Sequence, residues 1–158
     1  MAEKNALVVY YSRTGTTRKV AEAVAEALRC ESEEVIDTKK RSGVLGFVGG
    51  GKDARLKRLT VIEEVRSDPS SYELVIIGTP VWAWTMSPAI RTYITEQKGK
   101  LGEVAFFLTT GGSGMESTFS HMEELCGKAP RARLGLKAKE VLKGDPTERI
   151  RAFVDELS

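Results

Sequence analysis

The residues best suited to chemistry lie in one short hydroxyl-rich segment, Ser12 to Thr17, with the sequence SRTGTT. An apolar run at residues 7–11 precedes it, and apolar residues recur at helical spacing after it. Six residues allow only a tight turn from a buried strand into a helix. Such a turn presents the unpaired N–H groups and positive dipole end of the helix, which favour an anion. The segment therefore predicts an anion site of phosphate size.

The donors in this turn are mostly neutral. Its single cation is Arg13, and its four hydroxyl groups belong to Ser12, Thr14, Thr16 and Thr17. Gly15 allows the backbone to curve closely round a small ligand. One or two of the hydroxyls would be explained as helix N-caps. Four exceed what capping requires, so we favour anion binding over capping alone.

Composition limits the remaining possibilities. The 158 residues, 41% hydrophobic and 29% charged, predict one folded domain over residues 1–158. The net charge of +2 is too small to indicate nucleic-acid binding. With no membrane-length apolar run and no secretion signal in MAEKNA, we expect a cytoplasmic protein without a membrane partner. Cys30 and Cys126 are far apart and form no CxxC motif, so no metal site is expected.

The hydrophobic pattern predicts five strands alternating with helices, at residues 7–11, 33–37, 72–78, 104–108 and 131–136. The first, third and fourth are apolar throughout, which is typical of parallel strands buried on both faces. The second and fifth are more polar and are expected at the edges. Helices are predicted after Ser87 and Pro88, from near Met115, and after Asp145 and Pro146. The pattern indicates an α/β three-layer sandwich with a parallel sheet in the order 2-1-3-4-5.

Between the second and third strands, three consecutive glycines predict a long loop over residues 38–55. Residues 52–65 have the spacing of a helix, although LTVIEEV at 59–65 is also compatible with a strand. Gly46 to Lys52 nearly matches the phosphate-binding motif GxxxxGK, but Asp53 replaces the magnesium-binding Ser or Thr. A nucleotide triphosphatase is therefore rejected. The segment also contains four large apolar side chains, Val44, Leu45, Phe47 and Val48. They are unusual for a solvated loop and suggest that it covers a ligand or a partner surface.

Three loops are expected to meet at the edge of the sheet where the parallel strands end. They are SRTGTT, the segment TPVWAW at 79–84 and the segment TTGGSG at 109–114. The second loop contributes two indole rings, and the third a glycine-rich backbone that can approach a planar polar edge. A ligand with a phosphate at one end and an aromatic heterocycle at the other fits all three loops. Flavin mononucleotide (FMN) has these parts.

The sequence resembles the flavodoxin-like family, whose phosphate loop reads [ST]xTGxT and is matched by Ser12, Thr14, Gly15 and Thr17. The resemblance extends from the first strand through the last helix. It implies a flavodoxin-like fold that binds FMN and carries electrons between redox partner proteins. The implied cofactor-binding residues are Ser12, Arg13, Thr14, Gly15, Thr16, Thr17, Thr79, Pro80, Val81, Trp82, Ala83, Trp84, Thr110, Gly111, Gly112, Ser113 and Gly114.

Within these loops, the resemblance implies that either Trp82 or Trp84 stacks on the isoalloxazine ring and that Thr110 to Gly114 meet its pyrimidine edge. Ala83 departs from the glycine that in many flavodoxins lets a peptide turn toward the half-reduced ring, so we expect weaker stabilisation of that state. The three loops contain no Asp or Glu, which should make the anionic reduced flavin easier to form. No residue is assigned a catalytic role, and the only histidine, His121, is expected to have an ordinary surface or helix-end role.

Alternative functions remain open at this level. An NAD(P)H-dependent quinone or flavin reductase would use the basic residues Lys39 to Arg41 to attract the nicotinamide cofactor. A flavodoxin-like scaffold without flavin is a further possibility, whereas two cysteines disfavour an iron–sulfur flavoprotein. The chain could be a monomer or a homodimer.

Overall fold

The computed structural model describes residues 5–39, 41 and 43–158. The MAEKNA segment considered for a secretion signal lies largely outside this range, as do Lys40 and Ser42. The elements in chain order are β1 (Ala6–Tyr10), α1 (Thr16–Leu28), β2 (Glu31–Glu34), α2 (Gly43–Arg55), β3 (Leu74–Trp82), β4 (Thr85–Met86), α3 (Pro88–Gln97), β5 (Glu103–Thr110), α4 (Met115–Cys126), β6 (Arg133–Lys137), α5 (Ala138–Leu142) and α6 (Thr147–Leu157).

Five parallel strands form the sheet in the order β2-β1-β3-β5-β6. This confirms the α/β fold class and the strand order predicted from the sequence. The two-residue strand β4 is an addition, which pairs antiparallel with the end of β3. The two polar strands lie at the edges, as expected for strands with few apolar side chains.

Helices cover both faces of the sheet. Val8 of β1 packs in the layer that contains α1 and α6, whereas Leu7 packs in the layer that contains α3 and α4. The neighbouring residues Phe106 and Phe107 of β5 divide between the two layers in the same way. Because alternate side chains enter two different cores, the central strands must be apolar at nearly every position.

The β2 edge differs in position from the prediction. β2 covers Glu31–Glu34 instead of residues 33–37, and Asp37 forms only an isolated bridge with Ile62. Glu33 is buried, and its carboxylate accepts hydrogen bonds from the amides of Arg66 (2.6 Å) and Ser67 (2.9 Å). The start of the strand was missed because Glu31 and Ser32 are polar and exposed, and so give no apolar signal in the sequence.

The glycine-rich segment was also predicted wrongly. Residues 43–55 form helix α2 instead of a loop, and the helix predicted over 52–65 ends at Arg55. A Cβ atom on Gly46 would collide with the backbone of Arg41, and one on Gly50 would lie 2.7 Å from the Trp82 ring. Each glycine costs the helix about 1 kcal/mol in propensity. The close packing that only glycine permits outweighs that cost.

Two further boundaries were missed near the other edge of the sheet. α5 was not predicted, and β6 begins at Arg133 rather than residue 131. Within β6, Leu134, Gly135 and Leu136 are all buried, and the exposed residues are those at its two ends. The capping predictions agree better: Ser87 accepts a hydrogen bond from the Ile90 amide at 3.3 Å, as an N-cap does.

An ionic cluster holds α2 in place. The buried guanidinium of Arg41 donates to Asp37 at 3.1 Å and to Asp53 at 2.7 Å, and Lys39 donates to Asp53 at 2.9 Å. These bonds join the segment before α2 to its last turn. The hydrogen bonds from Arg41 and Lys39 lower the pKa of Asp53 to about 2.

We expect Asp53→Asn to lower the free energy of unfolding at neutral pH by about 3 kcal/mol, since it leaves the buried Arg41 with a single acid. The pKa of Asp53 is below its unfolded value, so its contribution is complete above about pH 4 and is lost as pH falls toward 2. Urea unfolding at pH 7 and at about pH 3 measures this difference. Asp155→Asn, at an exposed carboxylate, is the control. An equal loss of unfolding free energy for Asp53→Asn at both pH values would contradict a lowered pKa for Asp53.

Candidate functional site

A cleft of about 270 Å³ opens at the edge of the sheet where β1, β3 and β5 end. All three sequence segments predicted to meet there contribute to it. The cleft is lined by Ser12, Arg13, Thr14, Thr16, Thr17, Phe47, Pro80, Val81, Trp82, Thr109, Thr110, Gly111 and Ala138. A larger hollow of about 720 Å³, beside Asn5 and Tyr72, lies at the opposite end of the sheet, away from these loops.

The turn Ser12 to Thr17, called here the anion nest, contains backbone N–H groups that have no acceptor among the described residues. The Ser12 hydroxyl accepts from the amides of Gly15 (3.0 Å) and Arg18 (3.2 Å), so it organises the turn. Gly15 has φ of 103°, which lets the chain enter α1 sharply. Among the described residues, nothing accepts a hydrogen bond from the amides of Thr14, Thr16 and Thr17. This donor set suits a phosphate group.

Two residues of the nest are tied to other parts of the protein. The Thr17 hydroxyl is buried and lies 2.8 Å from that of Thr109 at the end of β5. Arg13 donates to the carbonyl groups of Arg41 (2.7 Å) and Gly43 (3.0 Å), and its guanidinium lies 5.4 Å from the centre of the Phe47 ring. Arg13 therefore connects the nest to the start of α2, with its donors only partly available to a ligand.

The structure separates the two tryptophans. Trp82 lines the cleft, with its ring edge-on to Tyr11 at 5.5 Å between centroids and against the backbone of Gly50. Trp84 does not line the cleft. It is 61% exposed, and its carbonyl accepts from the Ser117 hydroxyl at 2.7 Å. Of the two indoles, Trp82 is therefore the one placed to contact a ligand in the cleft.

The first predicted flavin loop is a β-hairpin rather than an irregular loop. Residues 79–82 continue β3, and Ala83 and Trp84 form a two-residue turn with φ of 50° and 63°. A turn with both residues at positive φ matches the twist of a hairpin but strains side chains other than glycine. Thr79 points away from the cleft into the core, where its hydroxyl accepts from the Ser87 amide at 3.0 Å.

The third segment contributes only its first residues to the cleft. Thr110 donates to the Ser113 carbonyl at 2.6 Å and accepts from the Gly112 amide at 3.2 Å, so its hydroxyl shapes the loop. Gly111 lines the cleft and has open space beside it. Gly112, Ser113 and Gly114 do not line it, and Gly114 packs against Val81 and Trp84 instead.

Three lining residues were missed by sequence reasoning: Phe47, Thr109 and Ala138. The sequence flagged Phe47 only as one of four apolar residues that could cover a ligand. Thr109 was recognised as part of TTGGSG but not assigned to the site. Ala138 had no signal, because α5 itself was not predicted.

His121 has a structural position behind the hairpin. Its Nδ1 lies 2.8 Å from the Thr85 hydroxyl, which also accepts from Arg91 at 2.9 Å. Burial, followed by the nearby charges of Lys57 and Arg91, lowers the pKa of His121. The histidine is absent from the lining of the cleft.

The comparisons with known proteins agree with this geometry. A family model described as flavodoxin matches residues 5–157. The chain belongs to the flavodoxin family. This confirms the resemblance drawn from the sequence. No curated protein matches the sequence.

Solved structures share the flavodoxin fold. A flavoprotein from Lactobacillus acidophilus NCFM, solved in complex with FMN, is 23% identical, with a TM-score of 0.73 over 94% of this chain and 99% of that one. The apo-form of the flavoprotein from the same organism is 29% identical, with a TM-score of 0.63 over 91% and 98% of the two chains. Two-electron reduced Megasphaera elsdenii flavodoxin is 16% identical, with a TM-score of 0.61 over 97% and 99%.

The cleft carries a mildly positive charge. Arg13 is the only charged side chain among the described residues that line it. No carboxylate lines it, so a bound anion would meet no direct repulsion from the cleft walls. In the part of the chain described by the structure, every helix is too short or too polar to cross a bilayer.

The contact between α2 and Trp82 can be tested with neighbouring glycines. We expect Gly50→Ala to displace the Trp82 ring, because the new Cβ atom would lie 2.7 Å from it. Gly49→Ala is the matched control, since a Cβ there meets open space. Gly49→Ala should raise the free energy of unfolding by about 0.5–1 kcal/mol through helix propensity, whereas Gly50→Ala should lower it and shift the tryptophan emission. Equal gains for both variants would show that α2 does not pack on Trp82.

Proposed function

We propose that this flavodoxin binds FMN and carries electrons between redox proteins. The observation that carries the proposal is a single cleft in which an anion nest with unused amide donors and an indole ring are combined. The flavoprotein solved with FMN shares this fold over nearly the whole chain and supports the choice of ligand. When bound, FMN supplies one- and two-electron chemistry.

The residues of the chain would bind and orient this group. The amides of Thr14, Thr16 and Thr17 would hold the phosphate together with the Thr14 and Thr16 hydroxyls. Trp82 would contact the ring system, while Pro80 and Val81 would exclude water from its inner side. The backbone at Thr110 and Gly111 would face the polar part of the ligand. These eight lining residues would bind the ligand, and none of them would transfer a proton.

Two observations favour a carrier over an NAD(P)H-dependent reductase. At about 270 Å³ the cleft lies just below the usual size range of organic-ligand sites, which favours one bound cofactor over two nucleotides bound together. The basic residues proposed to attract that nucleotide are already engaged: Lys39 and Arg41 are bonded to Asp53, and Arg41 also to Asp37. Lys40, the third residue of that motif, lies outside the described residues.

The ligand assignment predicts a preference for FMN over riboflavin. The double variant Thr14→Ala with Thr16→Ala should weaken FMN binding about thirtyfold, because two hydrogen bonds of about 1 kcal/mol each are lost. Riboflavin, which lacks the phosphate, should bind both proteins equally. Thr95→Ala on α3 serves as the control for loss of a hydroxyl outside the cleft. Fluorescence titration of each flavin measures the affinities. Equal losses for FMN and riboflavin would contradict a phosphate at the nest.

The carrier assignment predicts that the FMN-loaded protein oxidises NADPH and NADH no faster than free FMN does. After reduction by dithionite it should instead pass electrons to an acceptor protein within seconds. Anaerobic visible absorption spectroscopy follows both reactions. Steady oxidation of either nicotinamide nucleotide in the presence of a quinone would establish the reductase instead.

A further inference from the structure

The amphipathicity of α2 is inverted. Its inward face consists of small residues one turn apart, Gly46, Gly50 and Ala54. Its large apolar side chains point outward, with exposures of 79% for Val44, 88% for Leu45, 64% for Phe47 and 59% for Val48. A helix that only stabilised the fold would bury such side chains against the core. Their exposure as a group marks an interaction surface.

Cations border these apolar side chains. Among the described residues from 39 to 61, the exposed charged side chains are all basic: Lys39, Lys52, Arg55, Lys57 and Arg58. The one acid in that range, Asp53, is buried and neutralised by Arg41 and Lys39. Lys39 and Arg58 are themselves bonded to Asp53, which leaves Lys52, Arg55 and Lys57 to present positive charge. These three cations and the apolar residues Val44, Leu45, Phe47 and Val48 are called here the α2 face.

We propose that the α2 face docks an acidic redox protein, with an apolar centre and negative charges around it. The inference rests on the proposed carrier function, because a carrier must bring its partner to the exposed part of the flavin. Phe47 belongs both to the α2 face and to the lining of the cleft, so a protein seated on this face lies beside the cleft opening. Transient electron-transfer complexes use small interfaces, in which charged rims steer the encounter.

The charge pattern argues against a second copy as the occupant. A symmetric dimer through this face would bring two sets of cations together, and the α2 face offers no exposed acid to pair with them. Like charges across an interface cost several kcal/mol. An acidic partner would instead be attracted by the same cations.

The test uses the FMN-loaded protein with two probes of opposite charge, an acidic plant-type [2Fe–2S] ferredoxin and basic cytochrome c. Isothermal titration calorimetry measures binding, and stopped-flow absorption measures electron transfer from the reduced ferredoxin cluster to the flavin. One electron leaves the cluster and one enters the flavin, so the step is balanced. We expect the ferredoxin to bind at least about tenfold more tightly than cytochrome c, and this preference to fall with rising salt.

Paired variants locate the surface. Lys52→Glu with Arg55→Glu should weaken ferredoxin binding at least about tenfold and slow the electron transfer at low salt. Leu45→Ser with Val48→Ser should weaken binding about tenfold without removing the salt dependence. The matched control, Lys139→Glu on α5 with Lys143→Glu directly after it, makes the same change in net charge at exposed positions outside the α2 face. It should change binding less than about twofold.

Several outcomes would overturn the inference. They are equal binding of the two probes, equal effects of the α2 and α5 variants, or a dimer in sedimentation that Leu45→Ser with Val48→Ser dissociates. Co-sedimentation with phosphatidylglycerol vesicles, without ferredoxin binding, would assign the face to a lipid surface instead. FMN content, read from the visible spectrum, separates the two proposals. A protein that retains FMN but shows no preference for the acidic probe contradicts only the docking surface, whereas a protein without FMN contradicts the carrier function.

Discussion

The parallel pairing of β1 with β3 is the contact on which the candidate site depends. The register brings Tyr10 beside Gly78, and the next amide, of Tyr11, donates to the Gly78 carbonyl at 3.2 Å. The chain then leaves β1 as the anion nest, while β3 continues toward Trp82. The anion nest and the Trp82 side of the cleft therefore both follow directly from the pairing of β1 with β3. Because both strands are buried on both sides, their register is determined by packing in two cores at once, and the cleft inherits that rigidity.

The second constraint is the polar link between the nest and α2. Arg13 reaches from the nest to the backbone carbonyl of Arg41, whose own guanidinium is held by Asp37 and Asp53. A displacement of the nest would therefore alter the hydrogen bonds that Arg13 makes at the start of α2. α2 in turn packs its glycine face on Trp82. The anion nest, the Trp82 ring and the helix with exposed apolar side chains are linked by direct contacts, which connect the proposed cofactor site to the proposed docking face.

The absence of carboxylates from the described lining of the cleft bears on redox behaviour. An anionic reduced flavin in this cleft would be opposed by no adjacent acid and would lie near Arg13, so its potential should be higher than in an acidic site. The hairpin at Ala83 and Trp84 is a second influence. It already adopts positive φ at both residues, and side chains there make this conformation costlier than glycine would.

Local patterns predicted the buried strands, their order and the tight turn at Ser12 to Thr17, because their signals are local: apolar runs, hydroxyls near a glycine and a short connection. These signals were sufficient to predict the family and the strand order correctly. Only the tertiary structure decided that residues 43–55 form a helix, because the cost of its glycines is offset by contacts with Arg41 and Trp82, far away in sequence in the case of Trp82. The same is true of the choice between Trp82 and Trp84 and of the inward turn of Thr79. In each case the deciding contact forms only in the folded chain, as between Gly50 and Trp82, Trp84 and Ser117, or Thr79 and Ser87, and no spacing along the chain encodes it.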